Sequence, residues 1–299
     1  EGAEGERLVF HGEYSSEEAD SMTALLLRPH LWDGMRDPYV YLVKAQGRFR
    51  SVEYGEKMGG MEKEEKLDSA EDITGEVEMY WRQELTIYDV RVVEKKGILL
   101  NEKEFLPHEV VYRLPPQISD AGMRVEQVRR DLERLARMGV NAIRLEGTGS
   151  GAERQNCYEV RAFYRLCRRG GFLTGDLWIR PENLPVYRGL PGETTCQALL
   201  AADGRTLTER YYYYQAKWSS EPVLYPVLST LHRQENGLLS LTIYSNQKKV
   251  VLYVDGLLFL FQTATSGDPE FIFEDIPVEK LPLHLAVEAG NLSTSLTIR

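Results

Sequence analysis

The chain has 299 residues, 42 % hydrophobic and 10 % aromatic, which is enough apolar material for two or three folded domains. Its 46 acidic and 36 basic residues give a formal charge of -10, and no basic stripe interleaved with aromatics is present to neutralise phosphates, so nucleic acid is not an expected partner. The longest apolar runs, such as Val250 to Val254 and Leu257 to Phe261, fall far short of the roughly 20 residues of a bilayer span, and no membrane crossing is expected.

Cys157, Cys167 and Cys196 are odd in number and form no CxxC or Cys/His cluster, the pattern of reduced thiols in a cytoplasmic protein. The first residue is Glu1 rather than Met, which leaves secretion open. His11, His30, His108, His232 and His284 are scattered, with no pair one helical turn apart and no carboxylate at ligand spacing, so neither a metal nor a cofactor is expected.

From Leu8 to about Val93, short β-rich runs (Ala24 to Leu27, Tyr39 to Lys44, Glu84 to Val93) separated by polar turns predict a small β-sandwich. Glu53 to Glu78 is crowded with Glu, Lys, Gly and Asp and reads as a solvated insertion or a short exposed helix. From Gly97 the periodicity changes. Ile98 to Leu100 and Glu109 to Arg113 read as strands, and Met123 to Met138 reads as an amphipathic helix with Val125, Val128, Leu132, Leu135 and Met138 on one face and Gly139 as a left-handed cap. A strand at Val140 to Leu145, a helix at Cys157 to Arg169 and a strand at Phe172 to Ile179 complete a βαβαβ pattern with a parallel sheet. Pro181 to Gly192 reads as a loop and Leu207 to Trp218 as a tyrosine-rich helix. From Glu221, short strands (Leu239 to Tyr244, Val250 to Val254, Gly256 to Gln262, Phe271 to Phe273, His284 to Glu288, Ser293 to Ile298) predict a second sandwich.

Four stretches in this order carry a family pattern. They are Pro29-His30-Leu31-Trp32-Asp33-Gly34 with Asp37-Pro38-Tyr39; Gly97-Ile98-Leu99-Leu100-Asn101-Glu102-Lys103; Arg130-Asp131-Leu132 through Met138-Gly139-Val140-Asn141-Ala142-Ile143-Arg144; and Tyr211 to Trp218 with Glu221-Pro222-Val223-Leu224 and Ile243-Tyr244-Ser245-Asn246. Together they resemble glycoside hydrolase family 2, the β-galactosidases, β-glucuronidases and β-mannosidases. The resemblance implies a multidomain α/β and β protein: an immunoglobulin-like β-sandwich over 1–96, a partial TIM-barrel-like βα segment over 97–218 and a C-terminal immunoglobulin-like β-sandwich over 219–299. A closed (β/α)8 barrel takes about 250 residues, whereas Gly97 to Trp218 supplies about 120, so roughly half a barrel is expected. The family's acid/base glutamate, in an Asn-Glu pair after the fourth strand, and its nucleophile glutamate, ending the seventh, have no counterpart between Phe172 and Trp218. Its "R-x-S-H" after the second strand reads Arg144-Leu145-Glu146-Gly147, without the histidine.

Retaining glycoside hydrolysis needs two carboxyl groups about 5 to 5.5 Å apart. Glu146 and Asp176 are the candidates, since both fall near the C-terminal ends of successive strands, which run about 4.8 Å apart and carry the chemistry of barrel enzymes. Arg144 matches a residue inside the family's barrel and reads alternatively as a buried ion-pair partner. Trp178 and Trp218 are the candidates for substrate contact, and Tyr211 to Tyr214 for a sugar-stacking platform. Two functions of different class follow. One is a carbohydrate-associated relative that is non-catalytic by itself, a pseudoenzyme or partner subunit. The other is a β-glycosidase that completes its site with another subunit or with Glu146 and Asp176. Three strands without barrel closure would leave Val140, Ala142, Ile143, Leu173 and Leu177 partly open, so a protein partner or self-association through the incomplete barrel is expected, with the loop Arg180 to Cys196 as the rival cover.

Overall fold

A computed structural model describes residues 26, 28–50, 76–114, 121–146, 157–174, 184–189, 198–235 and 237–299. Glu1–His30 forms one unit and Leu31–Arg299 another. The architecture is mostly β-sheet, with three helices among the described residues.

β1 (Tyr41–Arg50) and β2 (Glu76–Leu85) form an antiparallel hairpin whose register runs from Tyr41 opposite Leu85 to Arg50 opposite Glu76. Glu76 to Glu78 therefore belong to a strand rather than to the charged insertion, because their partners on β1 continue to Arg50. The run Glu84 to Val93 is broken: β2 ends at Leu85 and β3 (Val90–Val93) begins a separate sheet. Of the expected strand Ala24 to Leu27, Leu26 is described and lies outside any strand, while the other three lie outside the described residues, as do 51–75.

β3, β4 (Gly97–Leu100) and β5 (Lys103–Phe105) make a three-stranded antiparallel sheet. Two of the sequence motifs meet beside it. Trp32 is 1 % exposed, its indole N–H donates to the Arg168 carbonyl at 2.8 Å, and its own carbonyl accepts from the Asn101 amide at 2.9 Å. Lys103 pairs with Asp33 at 2.8 Å. Asn101 holds a left-handed backbone at φ 50° and caps the Asp89 N–H with its side-chain oxygen, a role short polar residues fill in tight turns. These motifs thus have a packing purpose, seating Trp32 and Leu100 against Ala142 and Leu173.

The parallel sheet is built from β6 (Glu109–Tyr112), β7 (Ala142–Leu145), β8 (Leu173–Thr174), β9 (Val186–Arg188) and β10 (Ala198–Leu200), in the spatial order β10-β9-β6-β7-β8. α1 (Ala121–Met138) links β6 to β7, α2 (Cys157–Arg169) links β7 to β8, and α3 (Glu209–Trp218) follows β10. One core receives Val110, Tyr112 and Ile143 from the strands and Leu132, Leu135 and Phe163 from α1 and α2, with Tyr211 of α3, so the three helices share a face. Of the stripe expected on α1, Val128, Leu132, Leu135 and Met138 are buried and Val125 is half-buried, and Gly139 adopts φ 90°.

Two expectations need correction. The stretch read as loop from Pro181 contains β9, which joins β10 to extend the sheet from three strands to five on the far side of β6. The Pro185 carbonyl accepts from the Val111 N–H at 3.0 Å, a role open to proline because only its N–H is missing. Val140, Ala142, Ile143 and Leu173, expected to lie partly open, are 0, 2, 1 and 3 % exposed, covered by the helices and by Trp32 and Leu100. Leu177 lies outside the described residues, as does all of 175–179 of the expected strand Phe172 to Ile179.

The C-terminal sandwich packs β11 (Leu224–Arg233), β12 (Leu239–Ser245) and β15 (Glu270–Ile276) against β13 (Lys249–Val254), β14 (Leu257–Thr263), β16 (Leu283–Ala289) and β17 (Leu292–Ile298). Alternation explains it: Leu283, Leu285, Val287 and Ala289 point inward from β16 and join Leu241, Ile243, Leu252, Phe271 and Phe273 in one core. Each such side chain contributes roughly 1.5–3 kcal/mol of burial.

Candidate functional site

In an open parallel sheet, neighbouring strands whose connections run in opposite directions leave a crevice at their C-terminal ends. Here that place lies between β6 and β9, because the chain winds from β6 outward to β8 and then returns to the other side. Arg113, one residue beyond β6, spans it. Its guanidinium forks onto both carboxylate oxygens of Glu146, one residue beyond β7, through Nε to Oε2 and through Nη2 to Oε1 at 3.3 Å, while Nη1 reaches the Arg188 carbonyl at the end of β9 at 3.3 Å. Glu146 keeps 46 % of its side chain exposed and Arg113 17 %.

On the sheet face away from the helices, Arg144 donates to Glu109 at 3.1 Å, with side chains 10 and 1 % exposed. The β6–β7 register places Arg144 opposite Val111 and Ala142 opposite Glu109, so one arginine lies over the neighbouring acid on the same face. On the helix face, Asp131 of α1 is wholly buried and accepts from Tyr112 at 2.9 Å, Tyr187 at 3.0 Å, Arg188 at 2.9 Å and Gln127 at 2.9 Å. Burial, together with the Asp131 charge, raises the Tyr112 phenol well above its usual range and raises Tyr187 likewise. Both phenols therefore stay protonated donors to the carboxylate. Arg113, Glu109, Arg188 and Asp131 were not among the expected site residues. Asp131 stands in the third motif, but apart from Gln127 one helical turn earlier these partners come from β6 and β9, which periodicity does not connect.

Of the expected residues, Glu146 and Arg144 come to the same end of β7 on arginine and carboxylate partners, whereas Asp176 and Trp178 lie outside the described residues. Trp218 ends α3 and stacks on His108 with ring centres 5.2 Å apart and planes 6° apart, while Tyr214 packs on it at 4.4 Å. The tyrosine run also divides. Tyr211 is buried with its hydroxyl on the Arg134 carbonyl at 3.0 Å, and Tyr212 stacks on Tyr225 at 3.8 Å. Tyr213 turns with Tyr225 and Tyr244 into a cleft of about 630 Å3, also lined by Glu209 and Arg210. Burial and the nearby Glu270 and Glu209 charges push the Tyr244 phenol up to about 12. Cys167 is a free, buried thiol whose pKa is raised by burial, which makes it unreactive. Among the described residues there is no group of three or more His, Cys, Asp and Glu placed to hold a metal, and no helix long and apolar enough to cross a membrane.

His108 sets a pH dependence at the opposite end of the sheet. Burial lowers its pKa from 6.5, although the bond from its Nδ1 to the Gly139 carbonyl, 2.9 Å, works the other way. A histidine with a depressed folded pKa contributes stability that is present above 6.5 and is lost as pH falls through the folded value. The urea midpoint is expected to drop on acidification below 6.5 by more in the parent chain than in His108→Gln. Equal drops in both proteins would show that His108 is not the sensor.

No family model matches the sequence, and no curated protein matches it. Solved structures do. An FMN-binding β-glucuronidase from Facaelibacterium prausnitzii L2-6 aligns with a TM-score of 0.59 and 13 % identity over 90 % of this chain and 64 % of that one. A protein from Bacteroides fragilis named as a putative β-galactosidase aligns at 0.56 and 13 % over 91 % of this chain and 62 % of that one. A glycosyl hydrolase family 2 member from Bacteroides cellulosilyticus DSM 14838 aligns at 0.53 and 14 % over 91 % and 53 %. The chain thus spans between about half and two thirds of the length of these structures. Over nine-tenths of its length, the chain has the fold of the glycoside hydrolase family 2 β-glucuronidases and β-galactosidases.

Proposed function

We propose that this chain is a carbohydrate-associated protein with a family 2 fold that is non-catalytic by itself, a pseudoenzyme or partner subunit. The observation that carries this reading is the Arg113 fork, which engages both oxygens of Glu146. A glycosidase pair needs one carboxyl free to give a proton and another free to attack the anomeric carbon. Glu109, at the start of β6 and so toward the other end of the sheet from Glu146, is held by Arg144 on the face where a barrel would keep its interior. The five parallel strands are on this reading an arc of barrel wall, with the three helices as its outer layer. The buried free thiol of Cys167 fits a reducing, cytoplasmic setting.

The test has two arms. Aryl β-glucuronide, β-galactoside and β-mannoside are expected to give no turnover with the chain alone, and turnover abolished by Glu146→Gln would overturn the non-catalytic assignment. Calorimetry with the corresponding methyl glycosides is expected to show binding to at least one of them, and heat indistinguishable from dilution for all three would remove the carbohydrate association.

A second reading, a β-glycosidase completed by another subunit or by a second copy, is favoured by the unequal ends of the sheet. The outer side of β10 is met by Leu207 through a bridge to Leu200, whereas β8 is the terminal strand among the described residues. A second polypeptide that continues the barrel adds along β8. Turnover that appears when the products of neighbouring genes are supplied, and requires their carboxylates, would establish it.

A further inference from the structure

The cleft between α3 and the C-terminal sandwich shares no residue with the sheet-end site, and three tyrosines meet in it. Tyr225 and Tyr244 are register partners on β11 and β12, so both rings stand on one face of that sheet, 6.5 Å apart with planes at 21°. Tyr213 comes from α3 and meets Tyr244 edge-on, at 5.5 Å and 77°. Tyr212 backs the Tyr225 ring at 3.8 Å and holds it in place. None of the hydroxyls of Tyr213, Tyr225 and Tyr244 is hydrogen-bonded among the described residues, although all three residues line the cleft. Glu209 lines it too, oriented by the Ser229 N–H at 3.0 Å and by the Ser229 hydroxyl, which leaves acceptor capacity on both of its oxygens. At about 630 Å3 the cleft has the size of a small-molecule site, and its side chains stand on a helix and two strands rather than on loops.

The surrounding charges narrow the ligand. Arg210 lies over the Tyr214 ring at 5.8 Å and Lys217 over the Tyr213 ring at 5.6 Å, so a cationic ligand would meet two cations. Glu209 lines the cleft and Glu270 is the register partner of Tyr244 on β15, so an anionic ligand would meet two carboxylates. A neutral but wholly apolar ligand would cover the phenols and Glu209 while satisfying none of them. A neutral ring with apolar C–H faces and several hydroxyls meets every requirement. We propose that this cleft binds a neutral pyranose unit of a glycan, which rests on the carbohydrate association proposed above and gives it a site apart from the sheet end. The C–H face of the sugar lies against the tyrosine rings, and its hydroxyls donate to Glu209 and accept from Arg210 and the phenols. Burial and the Glu209 charge raise the Tyr225 phenol, as they do that of Tyr244, so both remain donors.

Calorimetric titration of the full chain with methyl β-galactoside, methyl β-mannoside and methyl β-glucuronide tests this. The better of the two neutral glycosides is expected to bind at least about threefold more tightly than the glucuronide, whose carboxylate meets Glu209 and Glu270. Tyr244→Ala is expected to weaken the neutral glycoside by at least about fivefold through the lost ring face. Tyr213→Phe, which keeps the packing and removes one hydroxyl, is expected to weaken it by about threefold. Far-UV circular dichroism and urea unfolding verify that each variant folds, and Tyr213→Phe decides alone if Tyr244→Ala does not. Affinity unchanged in the folded variants overturns the site and leaves the carbohydrate reading standing. Glucuronide binding as tight as that of the neutral glycosides overturns the neutral class. Heat indistinguishable from dilution with all three glycosides removes both the site and the reading on which it rests.

Discussion

Asp131→Ala is expected to lower the unfolding free energy by about 3–5 kcal/mol, the range seen when one partner of a buried ion pair is removed. The carboxylate is wholly buried and accepts from Tyr112, Tyr187, Arg188 and Gln127. Its loss leaves Arg188, 7 % exposed, as a buried cation whose Nε already lacks a hydrogen-bond partner among the described residues. Two phenols lose their acceptor as well. Asp131→Asn keeps the shape but turns one acceptor into a donor facing other donors, so an intermediate loss is expected. The Asp131→Ala, Arg188→Met double variant is expected to be more stable than Asp131→Ala alone, because it removes the stranded charge rather than adding a second defect. Urea unfolding of the four proteins measures this. A loss below about 1 kcal/mol for Asp131→Ala would place the network among surface-like ion pairs and refute the argument.

The network also shows where sequence reasoning reaches its limit. α1 was legible because Val128, Leu132, Leu135 and Met138 recur at helical spacing and a glycine follows, signals carried within one short segment. β16 was legible as a strand over His284 to Glu288, close to the Leu283–Ala289 that the structure shows. β9 and β10 were not: each has three residues, too few to show a period, with Pro185 and Gly189 flanking the first like loop residues. What makes them strands is the pairing of β9 onto β6, a partner far back in the chain, and of β10 onto β9. Glu146 could be placed at a strand end from sequence, and the structure puts it one residue past β7. That its oxygens would be taken by Arg113 depends on two strand ends lying side by side, which nothing local encodes. The tyrosine run was legible as a helix but not as two environments, because Tyr211 is directed into the core under the parallel sheet and Tyr213 toward Tyr244 of β12.

Gly139→Ala is expected to cost about 2–4 kcal/mol, from two sources that a control separates. The first is conformational. Gly139 closes α1 at φ 90°, a left-handed cap in which a side chain costs about 1 kcal/mol. The second is steric: a Cβ there would lie 2.4 Å from the Trp218 carbonyl oxygen, 2.5 Å from its carbon and 2.8 Å from the Ser219 nitrogen. These are backbone atoms at the end of α3, and they are not free to retreat. The Ser219 N–H is bonded to the Gln215 carbonyl, the Trp218 ring is stacked on His108, and His108 is bonded back to the Gly139 carbonyl at 2.9 Å. Relief therefore requires α1 and α3 to part, which opens the core that both helices share. Gly256 provides the control, because it turns β13 into β14 at φ 82° with nothing within 4 Å of the added carbon. Gly256→Ala is expected to lose about 1 kcal/mol, the conformational part alone. Urea unfolding of both variants decides the matter: equal losses would mean that the ends of α1 and α3 are not locked together, whereas a Gly139→Ala loss at least about twice that of Gly256→Ala assigns the difference to the collision with Trp218.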